Sequence, residues 1–192
     1  LPVAFSDLSG LPSYKESEGK AIFSGIMSFS GSGLARISAW RAEFDVATGS
    51  LSSYTIDGKE LISHPLEPDF LRAATENDLG ARFDKVLAVW RDAVLVPSSV
   101  DVEEMEDCMR LSVVYQPIEE YAVVNMVYDI YADGIISAKE SLKDAGKLAQ
   151  APILPRFGMR LAMPGEFSNW EFFGKGPFEN YVDRCSAAMD GH

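Results

Sequence analysis

The sequence predicts an all-β fold, an antiparallel sandwich that carries one short helix. Apolar and polar residues alternate in several separate segments, which is the pattern of strands with one buried face. Gly, Pro and Asp-Gly pairs separate these segments at short intervals, as turns between strands do. One further stretch spaces its apolar residues three and four apart, which is typical of an amphipathic helix.

The composition is that of a globular protein with an acidic balance. Hydrophobic residues make up 47% of the 192, and 29 acidic against 17 basic residues give a net charge of −12. This balance argues against nucleic acid or an anionic membrane as partner, and no apolar run reaches the roughly 18 residues of a membrane span. Cys108 and Cys185 show neither a disulfide framework nor metal-ligand spacing, so a cytoplasmic or a periplasmic location stays open. The Leu-Pro-Val start leads us to expect a part of a longer protein.

The first third of the chain predicts a strap and then strands. Residues 1–18 are interpreted as a linker or strap from a preceding domain, and residues 19–192 as the domain itself. Asp57-Gly58 suits a two-residue hairpin, because both turn positions need a positive φ. Four strands are predicted here: Gly19–Phe29, Trp40–Val46, Leu51–Ile56 and Lys59–Ile62.

The next segment predicts an interruption of the sheet. Pro65 and Pro68 are expected to break a strand. Residues 72–80, RAATENDLG, are predicted to form a polar loop, which we call the 72–80 loop. The single predicted helix follows, and its apolar stripe consists of Phe83, Val86, Leu87, Trp90 and Val94.

Strands resume in the second half. Val100–Asp107 is acidic and is predicted to be an edge strand. Alternating faces follow over 109–115 and 122–130, and Asp133-Gly134 turns the chain into Ile135–Leu142. A loop over 143–150 leads to the last segment.

The stretch Leu154–Arg184 is the most distinctive part of the sequence. Its alternation predicts a buried strand face, and Trp170–Phe173 is predicted to be a second strand. The residues of the predicted buried face are Phe157, Met159, Leu161 and Met163. Gly174-Lys175-Gly176-Pro177 then bends the backbone into a polar cluster, which consists of Glu179, Asn180, Tyr181, Asp183 and Arg184.

These residues carry a family resemblance. The run Leu154–Arg184 resembles the LPR-x-G-M…W-F-G-x-G-P-x-E-N-Y-x-D-R signature of the small-chain domain of β-galactosidases, which are family-2 glycoside hydrolases. The hairpin around Asp57-Gly58 is similar to the first hairpin of that domain, and the 72–80 loop resembles its R-A-P-x-D-N-D-x-G element. The loop departs from that element at Ala74, which replaces the proline, and at Glu76, which replaces the first aspartate.

The resemblance implies a fold and a function. The fold is an antiparallel β-supersandwich of the galactose-mutarotase-like type, here truncated, with residues 19–192 forming the N-terminal part of the domain. The parent would hydrolyse terminal β-D-galactosides with retention, by means of carboxylates on a catalytic barrel domain of the same chain. We therefore expect no catalytic residue and no cofactor in this chain. For the parent enzyme, the resemblance leaves open whether a divalent metal is required. It also implies that the parent is a homo-oligomer and binds the galactoside substrate.

Two groups of residues are candidates for function. Arg72, Asn77, Asp78 and Gly80 are predicted to border the sugar pocket, because the corresponding loop of the family lies beside the barrel mouth and can move over the sugar. The alternative, which stays open, is that Asn77 or Asp78 caps the following helix. The second group is predicted to be a structural or interdomain loop, with sugar-hydroxyl binding as its alternative; its members are Gly174, Gly176, Pro177, Glu179, Asn180, Tyr181, Asp183 and Arg184.

Other readings of the sequence are weighed against these. Trp40, Trp90 and Trp170 lie in regular stripes, which favours core packing over a sugar-stacking platform. The leading alternative for the whole chain is a stand-alone carbohydrate-binding module without catalysis.

Overall fold

Two antiparallel sheets pack face to face in the computed structural model, which describes residues 10–31, 34–74, 76–80, 82–169, 171, 173–176, 186 and 189–191. Within these residues the first sheet has the order β1-β2-β3-β4-β6-β11, with β5 paired to β4. Its strands are β1 (Ser13–Ser17), β2 (Lys20–Gly31), β3 (Leu34–Asp45), β4 (Ser50–Ile56), β5 (Lys59–Glu60), β6 (His64–Pro68) and β11 (Met159–Ala162).

The second sheet faces the first and has four strands in the described part of the chain. Its order is β10-β9-β8-β7, with every pair antiparallel. The strands are β7 (Pro97–Glu104), β8 (Cys108–Tyr115), β9 (Ala122–Tyr131) and β10 (Ile136–Asp144). The remaining elements are α1 (Glu76–Gly80), α2 (Phe83–Val86), α3 (Ala88–Arg91), a 3₁₀ turn (Leu148–Gln150), and the small pair β12 (Gly174–Gly176) and β13 (Met189–Gly191). The predicted all-β antiparallel sandwich is confirmed.

The core lies between the sheets, and aromatic residues hold the sheets together. Phe44 of β3 meets Tyr128 of β9 edge to face, with ring centroids 4.8 Å apart. The Trp40 indole N–H donates to the Ala132 carbonyl at 3.0 Å, and the Tyr115 hydroxyl donates to the Thr48 carbonyl at 3.1 Å. These bonds satisfy the polar ends of large apolar side chains, so the side chains can be buried at little cost.

Most predicted strands are confirmed residue by residue. The alternating residues predicted to face inward on β8 and β9 are all at most 8% exposed; they are Met109, Leu111, Val113, Tyr115, Ala122, Val124, Met126, Tyr128 and Ile130. Asp57 and Gly58 have φ of 50° and 78°, as the predicted hairpin requires. The acidic segment forms β7, which is an edge strand as predicted.

The Asp133-Gly134 turn is also confirmed, and the space around it is tight. Gly134 has a φ of +85°. A Cβ at this position would lie 2.6 Å from Met27 Cε and 2.9 Å from Tyr54 Oη. Because Tyr54 Oη also donates to the Gly134 carbonyl at 2.8 Å, the turn is fixed against the first sheet.

One expectation about the first sheet is wrong. Pro65 and Pro68 do not break a strand but lie within β6. They are tolerated because β6 pairs with β4 only at Leu66, so a full ladder of N–H donors is not required there. Within the segment interpreted as a linker or strap, Ser13–Ser17 form β1 and pair with β2. The assignment of residues 1–18 to a strap from a preceding domain stays a prediction.

The single predicted helix is divided in two. The chain leaves helical geometry at Leu87 (φ −93°, ψ 7°), so α2 and α3 do not share one continuous apolar stripe. Trp90 is buried, whereas Val86 and Val94 are exposed. Part of the predicted 72–80 loop is helical as well, because Glu76–Gly80 form α1.

The predicted buried face of the last segment is the largest error. Phe157, Leu161 and Met163 are each 48–49% exposed, and only Met159 packs partly against the core. The reason is that β11, a four-residue strand paired with β6, lies at the end of its sheet within the described residues, and none of these residues fully covers this side of the segment. Glu171 and Phe173 belong to no strand, and Trp170 and Phe172 lie outside the described residues.

Candidate functional site

The centre of the 72–80 loop is an ion pair between Arg72 and Asp78. Arg72 Nη1 donates to Asp78 Oδ2 at 2.5 Å, and Nη2 donates to Oδ1 at 3.1 Å. The same Nη1 also donates to the Ala73 carbonyl at 3.0 Å. The Asp78 side chain is 10% exposed and that of Arg72 30%, so the pair is only partly screened by water. This two-point contact ties α1 to the chain that leaves β6.

The other two predicted residues of this group lie on α1. Gly80 is its last residue; it is exposed, and a Cβ there would meet no atom within 4 Å. Asn77 belongs to α1 as well, and its side chain is outside the described part of the structure. The capping alternative is wrong, because the N-cap residue of α2 is Arg82, with a left-handed φ of 55°.

Two concave surfaces flank the loop. The first, the apolar cavity, has a volume of about 220 Å³, and Arg72 and Asp78 contribute to its wall. Its apolar lining includes Leu71, Ala74, Leu79, Phe83, Leu87 and Pro155. The second, the polar cleft, measures about 260 Å³, and its polar lining includes Thr48, Ser50, Glu67, Asp69, Tyr115 and Arg160.

Asp69 connects the loop, β11 and the polar cleft. Its Oδ1 accepts the Leu71 backbone N–H at 3.1 Å, and its Oδ2 faces Arg156 Nη1 at 3.3 Å. The Asp69 backbone N–H donates to the Gly158 carbonyl at 2.6 Å. The end of β6 is thereby held to the segment that enters β11.

The second predicted group lies mostly outside the described residues. Gly174 and Gly176 are in β12, where Gly174 pairs with Gly191 and Gly176 with Met189. The members outside the described residues are Pro177, Glu179, Asn180, Tyr181, Asp183 and Arg184. The interdomain-loop interpretation therefore stays a prediction.

Of the two candidate groups, the structure brings Arg72 and Asp78 together. Trp40 and Trp90 are in the core, as predicted, and Trp170 lies outside the described residues.

Sequence reasoning missed one residue, Glu140 of β10. Its two carboxylate oxygens have essentially no accessible surface and no hydrogen-bond partner among the described residues. Burial, and secondly the Asp69 charge, raise the pKa of Glu140 to about 7, while Arg156 acts in the opposite direction. The available signal was its phase, since Glu140 occupies the same alternating positions as Ile136, Ala138 and Leu142 and so shares their face of β10.

The described residues contain neither a candidate metal site nor a helix that could span a membrane. They contain no group of three His, Cys, Asp or Glu side chains placed to hold a metal ion. Nor does any helix among them combine the length and the hydropathy needed to cross a bilayer.

Comparison with known proteins identifies the family. The family model described as "Beta galactosidase small chain" matches residues 36–192. The chain belongs to the β-galactosidase small-chain family. This confirms the resemblance inferred from the motifs between Arg36 and Arg184.

Curated relatives of this small-chain domain are much longer proteins. The chain is 32% identical over 155 residues to a β-galactosidase of Clostridium acetobutylicum, a match that covers 79% of the chain and 17% of the relative. A β-galactosidase of Priestia megaterium is 32% identical over 149 residues, with 77% of the chain and 14% of the relative covered. A β-galactosidase of Halalkalibacterium halodurans is 31% identical over 148 residues, with 76% of the chain and 15% of the relative covered. The small-chain domain thus spans about a sixth of the length of these relatives.

Proposed function

We propose that this chain works as an accessory domain of a β-galactosidase that hydrolyses terminal β-D-galactosides with retention. The catalytic carboxylates would belong to a barrel domain elsewhere on the same polypeptide. The observation that supports this most directly is the family match over 36–192, together with relatives named β-galactosidase that are about six times as long as the match. The proposal assigns no cofactor to this chain and leaves a divalent metal and homo-oligomer contacts to the parent enzyme.

The first part of the proposed role is to buttress the catalytic domain. Phe157, Leu161 and Met163 recur at a period of two, so they share a side of the segment, and about half of each is exposed. We call them the β11 face. An apolar face on an unprotected edge strand is a liability unless another surface covers it. In the longer enzyme, the catalytic domain would cover the β11 face.

The second part of the proposed role is to border the sugar pocket. The Arg72–Asp78 pair joins residues near both ends of the 72–80 loop and so closes the loop on itself, while Gly80, just after the pair, is exposed. A loop that is held at its base by one ion pair and continues into an exposed glycine is suited to moving as a unit over a substrate. The proposal places this loop at the mouth of the catalytic barrel.

The decisive experiment is kinetic and uses the full-length enzyme. We expect Gly80→Ala to change kcat and KM together for a chromogenic galactoside, because a stiffer loop alters closure and release alike. The substitution is sterically harmless, since a Cβ at Gly80 meets nothing within 4 Å. Gly165→Ala, at a position equally free of neighbours, is the matched control. Unchanged constants in both well-folded variants would reject the pocket-border role.

A second experiment separates the accessory domain from the stand-alone module. The isolated chain is titrated with galactose by calorimetry and assayed with the same galactoside. The proposal expects no hydrolysis by the chain alone. Tight binding of galactose to the isolated chain would favour the module, and cleavage that is lost when one of the chain's own carboxylates is removed would overturn the proposal.

A further inference from the structure

Three buried side-chain oxygens in the described part of the chain have no hydrogen-bond partner, and they belong to two residues. They are Tyr128 Oη and the two carboxylate oxygens of Glu140. Buried polar atoms are nearly always paired with protein or with ordered solvent, because an unpaired one costs free energy. That all three lie on two neighbouring side chains indicates a missing bonding partner at one place.

The strand register puts the two side chains next to each other. In the β9–β10 ladder, Tyr128 pairs with Ala138 and Met126 pairs with Glu140. Tyr128 and Glu140 are therefore diagonal neighbours on one side of the second sheet, where the rings and apolar chains of β9 form the core. Diagonal neighbours are about 7–8 Å apart at the backbone, a separation that two converging side chains can bridge through one intervening oxygen.

The charges around the two residues favour an uncharged ligand. The carboxylates of Asp69 and Glu67 lie on the cleft side and are held by Arg156 at 3.3 Å and by Arg160 at 2.5 Å, respectively. The Asp69 charge and burial both favour the protonated form of Glu140, as its raised pKa reflects. A protonated carboxyl and a phenol each offer one donor and an acceptor, without net charge. A hydroxyl group, which also donates and accepts, can bond to both the carboxyl group and the phenol. An ion would carry a charge that this uncharged pair does not balance.

Two residues of the polar cleft interact with the buried pair. Asp69 and Tyr115 both line the cleft. Both also interact electrostatically with the buried pair, since Asp69 raises the pKa of Glu140 and Glu140 raises that of Tyr115, in each case after burial. The Tyr115 hydroxyl proton is already used, because Tyr115 Oη donates to the Thr48 carbonyl. The donors without a partner next to the cleft, among the described residues, are thus those of Glu140 and Tyr128.

We propose that Glu140 and Tyr128 together bind the oxygen of one uncharged hydroxyl group, supplied by an ordered water or by a sugar or polyol. Neither residue belongs to the 72–80 loop, and the proposal does not depend on the function proposed above. Both sources provide the same chemistry, so the test must tell them apart.

The test is a crystal structure of the protein at high resolution, with and without a galactose or glycerol soak. We expect an ordered oxygen within about 3.2 Å of both Tyr128 Oη and the Glu140 carboxyl. If that oxygen stays an isolated water after the soak, water is the source; if density for the soaked molecule replaces it, the source is a sugar or polyol. An empty site, or a direct bond between Glu140 and Tyr128 or Arg156, would overturn the proposal.

Substitutions give the same test in solution, where magnetic relaxation dispersion counts long-lived internal waters. Tyr128→Phe should remove one such water. Tyr115→Phe is the matched control and should remove none, because that hydroxyl is bonded to Thr48. Glu140→Gln should keep the water, since an amide still donates and accepts; Glu140→Leu should lose it and provides the test if Tyr128→Phe does not fold. Equal water counts in the wild type, Tyr128→Phe and Glu140→Leu would contradict the site.

Discussion

Replacing Glu140 by Gln should make the protein more stable, and the gain should grow with pH. The folded protein holds the pKa of Glu140 at about 7, against an ordinary value of about 4.5, chiefly because the carboxyl group is buried. Between pH 4.5 and about pH 7, Glu140 keeps its proton in the folded state, whereas in the unfolded state it has released it. The stability of the wild type therefore falls as pH rises from about 4.5 to about 7, and the loss is complete above pH 7. Gln has no proton to lose and does not share this loss.

The magnitude follows from the size of the pKa difference. A pKa difference of about 2.5, at about 1.4 kcal/mol for each pH unit, gives a ceiling of about 3.5 kcal/mol. The Glu140 side chain is partly exposed although its oxygens are not, so water screens part of the penalty. We therefore expect the advantage of Glu140→Gln over the wild type to grow by about 1–2 kcal/mol between pH 5 and pH 8.

The assay is urea unfolding of both proteins at pH 5, 6, 7 and 8, since the difference between two proteins cancels the other titrating groups. Glu104→Gln is the matched control, because Glu104 is exposed on the edge strand β7. We expect its stability difference from the wild type to be the same at every pH. If the Glu140→Gln difference is equally flat, or if it shrinks as pH rises, the account of a buried, protonated Glu140 is refuted.

Three further predictions concern the loop, a turn and the β11 face. The variants Arg72→Met and Asp78→Asn, alone and combined, should give a coupling of about 1–2 kcal/mol in urea unfolding, because the pair is bidentate and only partly screened; additive effects would contradict the pairing. Gly134→Ala should lower the free energy of unfolding by about 2 kcal/mol or more, because its φ is +85° and the space around a Cβ is filled, whereas Gly165→Ala should be nearly neutral. Leu161→Ser should change the stability of the isolated chain by less than about 0.5 kcal/mol, as expected at an exposed position, but should lower the thermal stability of the full-length enzyme if the β11 face is covered there.

Side-chain burial was most predictable from the sequence in strands with neighbours on both sides. In β8 and β9 every apolar residue of the alternating face is buried, because both strands lie inside the second sheet. The hairpin at Asp57-Gly58 was predictable for a local reason, since few other residues accept two successive positive φ values.

The errors have a common physical origin. The period of two indicates that Phe157, Leu161 and Met163 share one side of the segment. It does not indicate whether another element covers that side. In the same way, apolar spacing over 83–94 does not reveal that the helix is interrupted at Leu87. Both are properties of the tertiary arrangement, so the local pattern was correct and its extrapolation was wrong.

The candidate site was predictable in part. Family resemblance singled out Arg72 and Asp78, and the structure adds that they bond to each other. Glu140 was not found because its neighbours on β10 include Lys139, Ser141 and Lys143. These polar residues are typical of a strand exposed to solvent. Its raised pKa comes first from burial, which the local sequence does not reveal, and then from Asp69, which is distant in sequence.

Asp69 explains why the loop and the interior belong to one system. Its carboxylate is fixed on one side by the Leu71 backbone N–H, next to Arg72, and on the other by Arg156, which precedes β11. The same fixed negative charge helps to keep Glu140 protonated. A movement of the 72–80 loop that displaced Asp69 would therefore alter the proton affinity of Glu140, and by linkage the ionisation of Glu140 would alter the position of Asp69. The anchoring of a surface loop and the protonation of a buried carboxyl group are thus two consequences of one side chain's placement at the end of β6.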